Sequence, residues 1–385
     1  MKQKILITGG AGFIGSHLIP LLSAHELYIV DALLPQVHGE NADFKIIQAY
    51  PFVKECIKAN INEVHTYSHI LLQVDCIIHL AAYTGTGQSM YQLANYYENN
   101  VTATAQLLQA IGEHGKQVKK IILSSSRAVY GEGAYLSKKY NRVCPASRKK
   151  EDLESGKFNP IYLEDHALKI TTTKESDLLQ PVSVYGMTKL LQEQLVLNYC
   201  FQNIQTNAII FRFQNVYGPG QSLLNPYTGV LGVFSNLMRN NLPVEIYEDG
   251  HLTRDFIFVE DVVSMIFQSI QQEAFNGKII NLGSGELSKL TEVAYLLKSL
   301  LGSDSSIQLT PQFRLGDIAG NYADNCLLQS IYPFKPTSLT IGMKKYADWI
   351  QQQPIATNTI ELIKDSIGAL KEKGLIGTAT VKDHP

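Results

Sequence analysis

The fold is decided by a stretch near the N-terminus, Ile5-Leu6-Ile7-Thr8-Gly9-Gly10-Ala11-Gly12-Phe13-Ile14-Gly15. Its apolar start predicts a buried strand, and a helical pattern begins at its end. Gly9 permits a tight turn, Gly12 lets the backbone approach a pyrophosphate, and Gly15 allows the helix to pack closely on the strand. The N-terminus of that helix offers N–H groups to phosphates. The stretch therefore predicts a dinucleotide site between a strand and a helix.

Short apolar runs alternate with helical patterns over the following part of the chain. Strands are predicted at 4–8, 26–30, 76–80, 120–124 and 207–211, with helices at 14–24 and 95–114. Each strand is brief and apolar on both faces, as in a parallel sheet covered by helices on both sides. The alternation predicts an α/β fold of the Rossmann type, a doubly wound parallel sheet.

Changes in sequence texture indicate the domain organisation. We expect a Rossmann domain over 1–216 that 253–270 rejoins, a smaller α/β substrate-binding domain from 217–252 and 271–350, and a helical tail at 351–385. A polar, Lys/Glu-rich insertion at 132–176 interrupts the first domain. It either folds over the site as a flap or, the interpretation we favour, is a solvated loop without a catalytic role. The amphipathic tail is expected to pack on the body or on a second subunit.

Composition excludes several classes of protein. Of 385 residues, 45% are hydrophobic and 18% charged, enough for a full core. The net charge of -2 gives no electrostatic drive towards nucleic acid or acidic membranes. No apolar run approaches the ~20 residues of a spanning helix, and the first run is too short for a signal peptide. Five scattered cysteines without a Cys-x-x-Cys pair predict neither disulfides nor zinc. We expect a cytoplasmic protein with no metal, nucleic-acid or membrane partner.

The second predicted strand leads into an acidic residue, Asp31. A carboxylate at this position can accept hydrogen bonds from the ribose hydroxyls of adenosine, and it would repel a 2′-phosphate. Asp31 therefore favours NAD over NADP as the cofactor.

Two further features point to the reaction. Tyr185 and Lys189 are four residues apart, so on a helix they share one face. An ammonium group and an oxidised nicotinamide would both favour the phenolate of Tyr185 and make it a usable base. The fourth predicted strand ends in Ser124-Ser125-Ser126. A hydroxyl at that carboxyl end can hydrogen-bond the substrate oxygen that Tyr185 deprotonates.

In this order, the glycines, acidic strand end, serine triplet and Tyr/Lys pair resemble the extended short-chain dehydrogenase/reductases, in the branch of nucleotide-sugar epimerases and dehydratases. The resemblance runs from Ile5 to about Trp349. It implies a catalytic triad of Ser126, Tyr185 and Lys189. The residues that it implies for NAD binding are Gly9, Gly12, Phe13, Ile14, Gly15, Asp31, Asn60, Ile61, Leu80, Ala81, Ala82, Asn100, Ser124, Tyr185 and Lys189.

Blocks in the second half of the chain also resemble this family. They imply that Ser126 and Asn215 contact the substrate, and that Arg254 and Arg314, with Asp317, lie at its diphosphate. Two guanidinium groups suit a diphosphate because each can form charge-assisted, bidentate hydrogen bonds. The expected substrate is a nucleotide-diphosphate sugar, a dTDP- or UDP-hexose.

The residues that follow Ser126 bear on the reaction type. Sugar 4,6-dehydratases of this family carry an Asp-Glu pair where this chain has Arg127 and Ala128. A guanidinium cannot serve as an acid, so expulsion of a 6-hydroxyl lacks a proton donor. This leaves a 4-epimerase, a 4-ketoreductase or a decarboxylase. Asp31 favours the epimerase, which removes and returns the same hydride on tightly held NAD.

A narrower resemblance comes from 126–133, 215–229 and the long insertion after Tyr130. These look like the group of dTDP-L-rhamnose 4-epimerases, which interconvert dTDP-L-rhamnose and dTDP-6-deoxy-L-talose through a 4-keto intermediate. The alternatives are an NAD(P)H-dependent 4-ketoreductase, a UDP-glucose-type 4-epimerase and a non-catalytic nucleotide-sugar-binding subunit. The family also implies a homodimer formed by the helix of Tyr185 and the helix at 95–114.

Overall fold

The computed structural model describes residues 2–227, 229–355 and 358–380. At its centre is a sheet whose paired strands all run parallel. Its strands are β1 (Lys4–Thr8), β2 (Glu26–Asp31), β3 (Val53–Lys58), β4 (Cys76–His79), β5 (Lys120–Ser126), β6 (Asn207–Phe213) and β7 (Ile279–Leu282). They are ordered β7-β6-β5-β4-β1-β2-β3, which reverses direction between β1 and β4 and places a crevice at their carboxyl ends. The predicted doubly wound α/β fold is confirmed.

Helices cover both faces of the sheet and build the rest of the molecule. The longer ones are α1 (Phe13–Leu18), α2 (Ala103–His114), α3 (Val184–Gln202), α4 (Val230–Arg239), α5 (Val259–Gln271), α6 (Leu290–Leu301), α7 (Leu339–Gln352) and α8 (Thr359–Glu372). Short α-helical segments are Pro35–His38, Lys45–Gln48, Ser68–Leu71, Thr86–Ser89, Leu93–Tyr96, Lys150–Glu154 and Cys326–Ile331. The 3-10 turns are Ile19–Leu22, Val64–Thr66, Arg127–Tyr130, Glu248–Gly250 and Glu273–Phe275, and Tyr97–Thr102 is a π-helix.

Small strand pairs lie outside the main sheet. Asn215–Tyr217 runs parallel to Phe256–Phe258, and Val244–Ile246 runs parallel to Ile307–Leu309. Antiparallel pairs join Thr253–Arg254 to Ser288–Lys289 and Gln312–Arg314 to Ile376–Thr378. Tyr135–Ser137 lies between Asn141–Val143 and Lys169–Ile170 in a separate antiparallel sheet.

The core follows from the alternation of side chains along each buried strand. In β1, Ile5 and Ile7 join a cluster on one face that includes α1 and α5, whereas Leu6 joins a cluster on the other face that includes α2 and α3. Both faces are therefore apolar, as the short continuous runs predict. A third cluster, around Tyr217, Phe258 and Tyr346, lies apart from the sheet. The domain boundaries given above stay a prediction.

The five predicted strands are confirmed, and three of them extend by one or two residues. β3 and β7 escaped the sequence analysis. The predicted helix at 14–24 is α1 followed by a 3-10 turn. The predicted helix at 95–114 is continuous, with the π-helix Tyr97–Thr102 between Leu93–Tyr96 and α2. Among the described residues, no helix combines the length and apolar character needed to cross a membrane.

The insertion at 132–176 is not the solvated loop that the sequence favoured. Arg148 is buried and donates to Oε1 of Glu132 over 2.9 Å, to Glu248 and to the Phe158 carbonyl over 2.9 Å. It also donates to the main-chain oxygen of Asp317 over 3.1 Å. Since Glu248 and Asp317 lie outside the insertion, one buried guanidinium ties the insertion to the rest of the molecule. The sequence analysis missed this contact because Arg148 lies in a run of charged residues that resembles an exposed loop.

We predict that Arg148→Ala lowers the free energy of unfolding by about 3 to 5 kcal/mol, because it leaves two carboxylates buried without a cation. Urea denaturation checks this. Lys139→Ala, which breaks an exposed ion pair with Glu164 in the same insertion, is the matched control and should leave the midpoint nearly unchanged. Equal effects of the two substitutions would show that the buried cluster does not anchor the insertion.

Candidate active site

The crevice at the carboxyl ends of the strands opens into a cavity of about 1050 Å³. Most of the predicted site residues line it: Gly9, Gly12, Phe13, Ile14, Gly15, Asp31, Asn60, Ile61, Leu80, Ala81, Ala82, Ser126, Tyr185, Asn215, Arg254, Arg314 and Asp317. Asn100, Ser124 and Lys189 are buried behind its wall. The cavity thus brings together most of the residues that the sequence analysis assigned to the cofactor, the reaction and the substrate.

The glycine turn between β1 and α1 has the geometry that a dinucleotide requires. Gly9 has φ +71°, and a Cβ there would lie 2.6 Å from the main-chain nitrogen of Ala81. At Gly15 a Cβ would lie 2.5 Å from the carbonyl oxygen of Gly10. Side chains are therefore excluded at both positions, and the main chain itself forms the wall of the cavity. This cradle fits a pyrophosphate group.

Asp31, at the end of β2, is fixed by the main chain. Its Oδ2 accepts from the amide of Ala11 over 2.9 Å, and its Oδ1 accepts from the amide of Leu33 over 2.9 Å. His38, which the sequence analysis missed, places Nε2 3.7 Å from Oδ1 of Asp31, and both residues line the cavity. The fixed carboxylate suits ribose hydroxyls and disfavours a 2′-phosphate.

The groups predicted to react lie where β5 ends and α3 begins. Ser126 is the last residue of β5, and its Oγ accepts from the amide of Ala128 over 3.2 Å. Ser183 caps α3 by accepting from the amide of Gly186 over 3.1 Å, so Tyr185 lies in the first turn. The amide of Tyr185 donates to Oγ of Ser89 over 3.0 Å. Its phenol is thereby held at the cavity wall.

Burial and the neighbouring groups shift the pKa of Tyr185 in opposite directions. Burial raises the pKa of Tyr185, whereas a hydrogen bond with Ser126 and the nearby positive Arg127 lower it. Lys189 is 2% exposed and donates from Nζ to the Ser124 carbonyl over 2.8 Å. Burial lowers the pKa of Lys189 to about 7, even though Glu193 opposes this change. Arg127 is thus a second source of positive charge beside the phenol.

A buried ion pair holds this arrangement together, and the sequence analysis did not find it. Arg212 on β6 donates to Glu193 on α3 through Nε, at 2.9 Å, and Nη2, at 2.7 Å. Ser125 on β5 donates to the same carboxylate. Glu193 is four residues after Lys189, on the same helix face, which was the available signal. One carboxylate therefore joins the catalytic helix to two strands.

Asn100 and Ser124 act within the protein rather than at the cavity surface. Asn100 is fully buried, accepts from the amide of Tyr83 over 2.7 Å and donates to Thr188 over 3.0 Å. Ser124 donates to the His79 carbonyl over 3.1 Å. The sequence placed both residues at the cofactor. In the structure Asn100 holds the loop after β4 against α3, and the cofactor roles of Asn100 and Ser124 stay predictions.

The expected diphosphate end of the cavity is a cluster of arginines around one carboxylate. Asp317 pairs with Arg254 at 2.6 Å and with Arg314 at 2.9 Å. Burial would raise the pKa of Asp317, but these two guanidinium groups outweigh it and hold the pKa well below its usual range. Arg127 lines the same cavity, and burial lowers its pKa to about 10. The net positive charge of the cluster suits a diphosphate.

We predict that Lys189→Met raises the stability of the cofactor-free protein at pH 7, and that its advantage over wild type shrinks towards pH 10. The folded pKa of about 7 lies below that of unfolded lysine, so wild type gains stability as pH rises between the two values. The change is at most about 1.4 kcal/mol per pH unit. Urea denaturation across this pH range tests the prediction. For exposed Lys119→Met, the free energy of unfolding plotted against pH should run parallel to that of wild type.

Comparison with known proteins agrees with this geometry. The NAD dependent epimerase/dehydratase family model matches residues 5–283. A dTDP-L-rhamnose 4-epimerase of Burkholderia thailandensis is 35% identical, over 91% of this chain and 96% of its own length. A UDP-N-acetyl-alpha-D-glucosaminuronate decarboxylase of Bacillus cytotoxicus is 29% identical, over 91% of this chain and 99% of its own length.

Solved structures are similar over the same span. UDP-glucuronic acid 4-epimerase from Bacillus cereus, in complex with UDP-glucuronic acid and NAD, superposes with a TM-score of 0.73 at 26% identity. The alignment covers 91% of this chain and 99% of that one. The family model spans the glycine turn and helix α3, which carries Tyr185. This chain therefore belongs to the NAD-dependent epimerase/dehydratase family, as an NAD-dependent enzyme of nucleotide-sugar chemistry.

Proposed function

We propose that this protein is a 4-epimerase that interconverts dTDP-L-rhamnose and dTDP-6-deoxy-L-talose through a transient 4-keto sugar. The observation that carries the proposal is the pairing of Ser126 and Tyr185 with Arg127 at one cavity wall. The first two residues supply what oxidation and reduction at C4 require, and Arg127 cannot supply the acid that dehydration requires. The similarity to the Burkholderia thailandensis enzyme supports the choice of sugar.

The chemistry that this chain performs centres on one proton. Tyr185 takes the proton of the sugar 4-hydroxyl, while Ser126 hydrogen-bonds the same oxygen and fixes its position. The positive charge of Arg127 favours the phenolate that results. NAD, when bound, accepts a hydride from C4 and later returns it to the opposite face. The proton on Tyr185 then goes back to the new hydroxyl, so the enzyme ends the cycle unchanged.

Epimerisation also requires that the 4-keto sugar turns over while the substrate stays bound. Arg254 and Arg314 would hold the diphosphate at one end of the cavity. Anchored there, the sugar can rotate about its bonds to the diphosphate and present its other face. The cavity of about 1050 Å³ would hold NAD and the substrate together, and the sugar would turn between them.

We further propose that the enzyme is a homodimer. Large apolar side chains are exposed on the helices that the family resemblance assigns to an interface. Met187 and Leu191 on α3 are 42% and 38% exposed, and Tyr97, within the helix predicted at 95–114, is 38% exposed. Sedimentation of the purified protein would show a monomer if this face is unpaired.

Substrate identity is tested by NMR of the purified protein with dTDP-L-rhamnose and no added nicotinamide. We expect the C4 epimer to appear, because the cycle consumes no cofactor. Activity only on a 4-keto sugar with NAD(P)H would replace the proposal with a ketoreductase. Turnover of UDP-glucose instead would point to a UDP-glucose-type epimerase, and ligand binding without hydrogen exchange at C4 would point to a non-catalytic subunit.

The assigned base is tested by Tyr185→Phe. We expect bound NAD to be retained and turnover to fall by about 10²- to 10⁴-fold, the usual contribution of a general base. Turnover is measured by NMR, and NAD is measured in the supernatant of denatured enzyme. Tyr295→Phe, at an exposed position far from the cavity lining, is the matched control and should match wild type. Near-normal turnover of Tyr185→Phe would exclude the phenol as base.

A further inference from the structure

The C-terminal segment 358–380 is built into the substrate end of the cavity. Its strand Ile376–Thr378 pairs antiparallel with Gln312–Arg314, the strand that carries a predicted phosphate-binding arginine. The amide of Leu315 donates to the Leu375 carbonyl over 2.8 Å, and the amide of Ala379 donates to the Pro311 carbonyl over 2.9 Å. The segment is therefore fixed to both ends of the strand of Arg314.

A small hydrophobic cluster adds a second attachment. Phe313 is fully buried, and it shares this cluster with Ala379 of the C-terminal segment and with Leu153 and Phe158 of the insertion. The amide of Thr380 also donates to the Glu154 carbonyl over 2.9 Å. The C-terminal segment thus packs on the body of its own chain, between the insertion and the strand of Arg314.

Helix α8 turns one face towards the cavity. Six of its lining residues recur at helical spacing, Ile360, Ile363, Lys364, Ile367, Leu370 and Lys371, and Ser366 and Gly368 also line the cavity. Residues three, four and seven apart lie on the same side of a helix, so one broad face of α8 borders the cavity. Ile363 and Leu370 are buried, whereas Lys364 and Lys371 are exposed. Apolar side chains of α8 therefore form a wall of the cavity, and two solvent-exposed lysines border the same cavity.

Leu370, the residue before Lys371, lies close to Arg314. A Cβ at Gly87 would lie 3.5 Å from Leu370 and 3.6 Å from Nη1 of Arg314, so these two side chains approach the same point. Lys371 follows Leu370 and lines the same cavity as Arg314. Within the described part of the chain, Lys371 forms no ion pair, whereas Lys373 pairs with Glu372. A cation without a counter-ion beside this cavity suits an anionic ligand.

We propose that α8 is a wall of the nucleotide-sugar site and that Lys371 contacts the substrate diphosphate together with Arg314. This proposal rests on the proposed function, in that the ligand is a nucleoside-diphosphate sugar. It makes a segment outside the resemblance to the family a part of substrate recognition. The contact fixes the anchored end of the substrate and leaves the reacting sugar to Ser126 and Tyr185.

The test compares the binding of dTDP and thymidine, and of UDP and uridine, to the NAD-loaded enzyme by titration calorimetry. For Lys371→Met we expect the affinity for the nucleoside diphosphate that wild type binds, dTDP or UDP, to fall by about 10-fold, as for loss of a charge-assisted contact. Affinity for its nucleoside should change by less than about 2-fold. The matched control is Lys373→Met, which does not line the cavity and should bind all four ligands like wild type.

Ile367→Asn tests the wall separately, with exposed Leu362→Asn, off the cavity lining, as its control. We expect KM to rise several-fold for Ile367→Asn only, with kcat retained. Unchanged diphosphate affinity of Lys371→Met, or an equal loss for nucleoside and diphosphate, would overturn the contact. An unchanged KM of Ile367→Asn would overturn the wall. Wild type that binds neither dTDP nor UDP would instead overturn the proposed function, and this inference with it.

Discussion

The arrangement of this site depends on the buried pair of Glu193 and Arg212. The carboxylate accepts from Arg212 on β6 and from Ser125 on β5, while its own backbone belongs to the helix of Tyr185. Removing one partner of such a pair costs about 3 to 5 kcal/mol, because the other charge stays buried. The pair therefore resists any sliding of α3 along the sheet. That resistance keeps Tyr185 opposite the end of β5, where Ser126 lies.

The same burial that fixes the site also sets its electrostatics. Lys189 lies behind the cavity wall, so burial lowers its pKa to about 7 and its charge is not guaranteed at neutral pH. His79, buried nearby, has a pKa lowered to about 3 by burial and by Lys189, so it stays neutral. Arg127 retains its charge, with a pKa of about 10. In the cofactor-free protein, positive potential at Tyr185 is thus supplied most reliably by Arg127.

The sequence predicted those parts of the structure that depend on the hydrophobicity of consecutive residues. Buried strands such as β1 and β5 are continuous apolar runs, so their positions were predictable. β3 is an edge strand with mixed side chains, Val-Lys-Glu-Cys-Ile-Lys, and only partial burial, so it lacked that pattern. The sequence analysis assigned Asn100 to the cofactor, whereas its hydrogen bonds in the structure are with Tyr83 and Thr188. Hydrogen bonds between segments that are distant in the sequence produce no regular spacing of residues from which they could be predicted.

The two segments that interrupt or extend the family pattern meet at one place. Arg148 of the insertion donates to the Asp317 main chain, and Phe158 packs with Phe313. The C-terminal strand pairs with Gln312–Arg314. Because Asp317 and Arg314 belong to the expected diphosphate site, both segments contact the residues proposed to anchor the substrate. Ser126 and Tyr185, which we propose for the oxidation of C4, lie on β5 and α3. In the proposed function, the two segments thus bear on how the nucleotide sugar is held, whereas β5 and α3 bear on how its hydroxyl is oxidised.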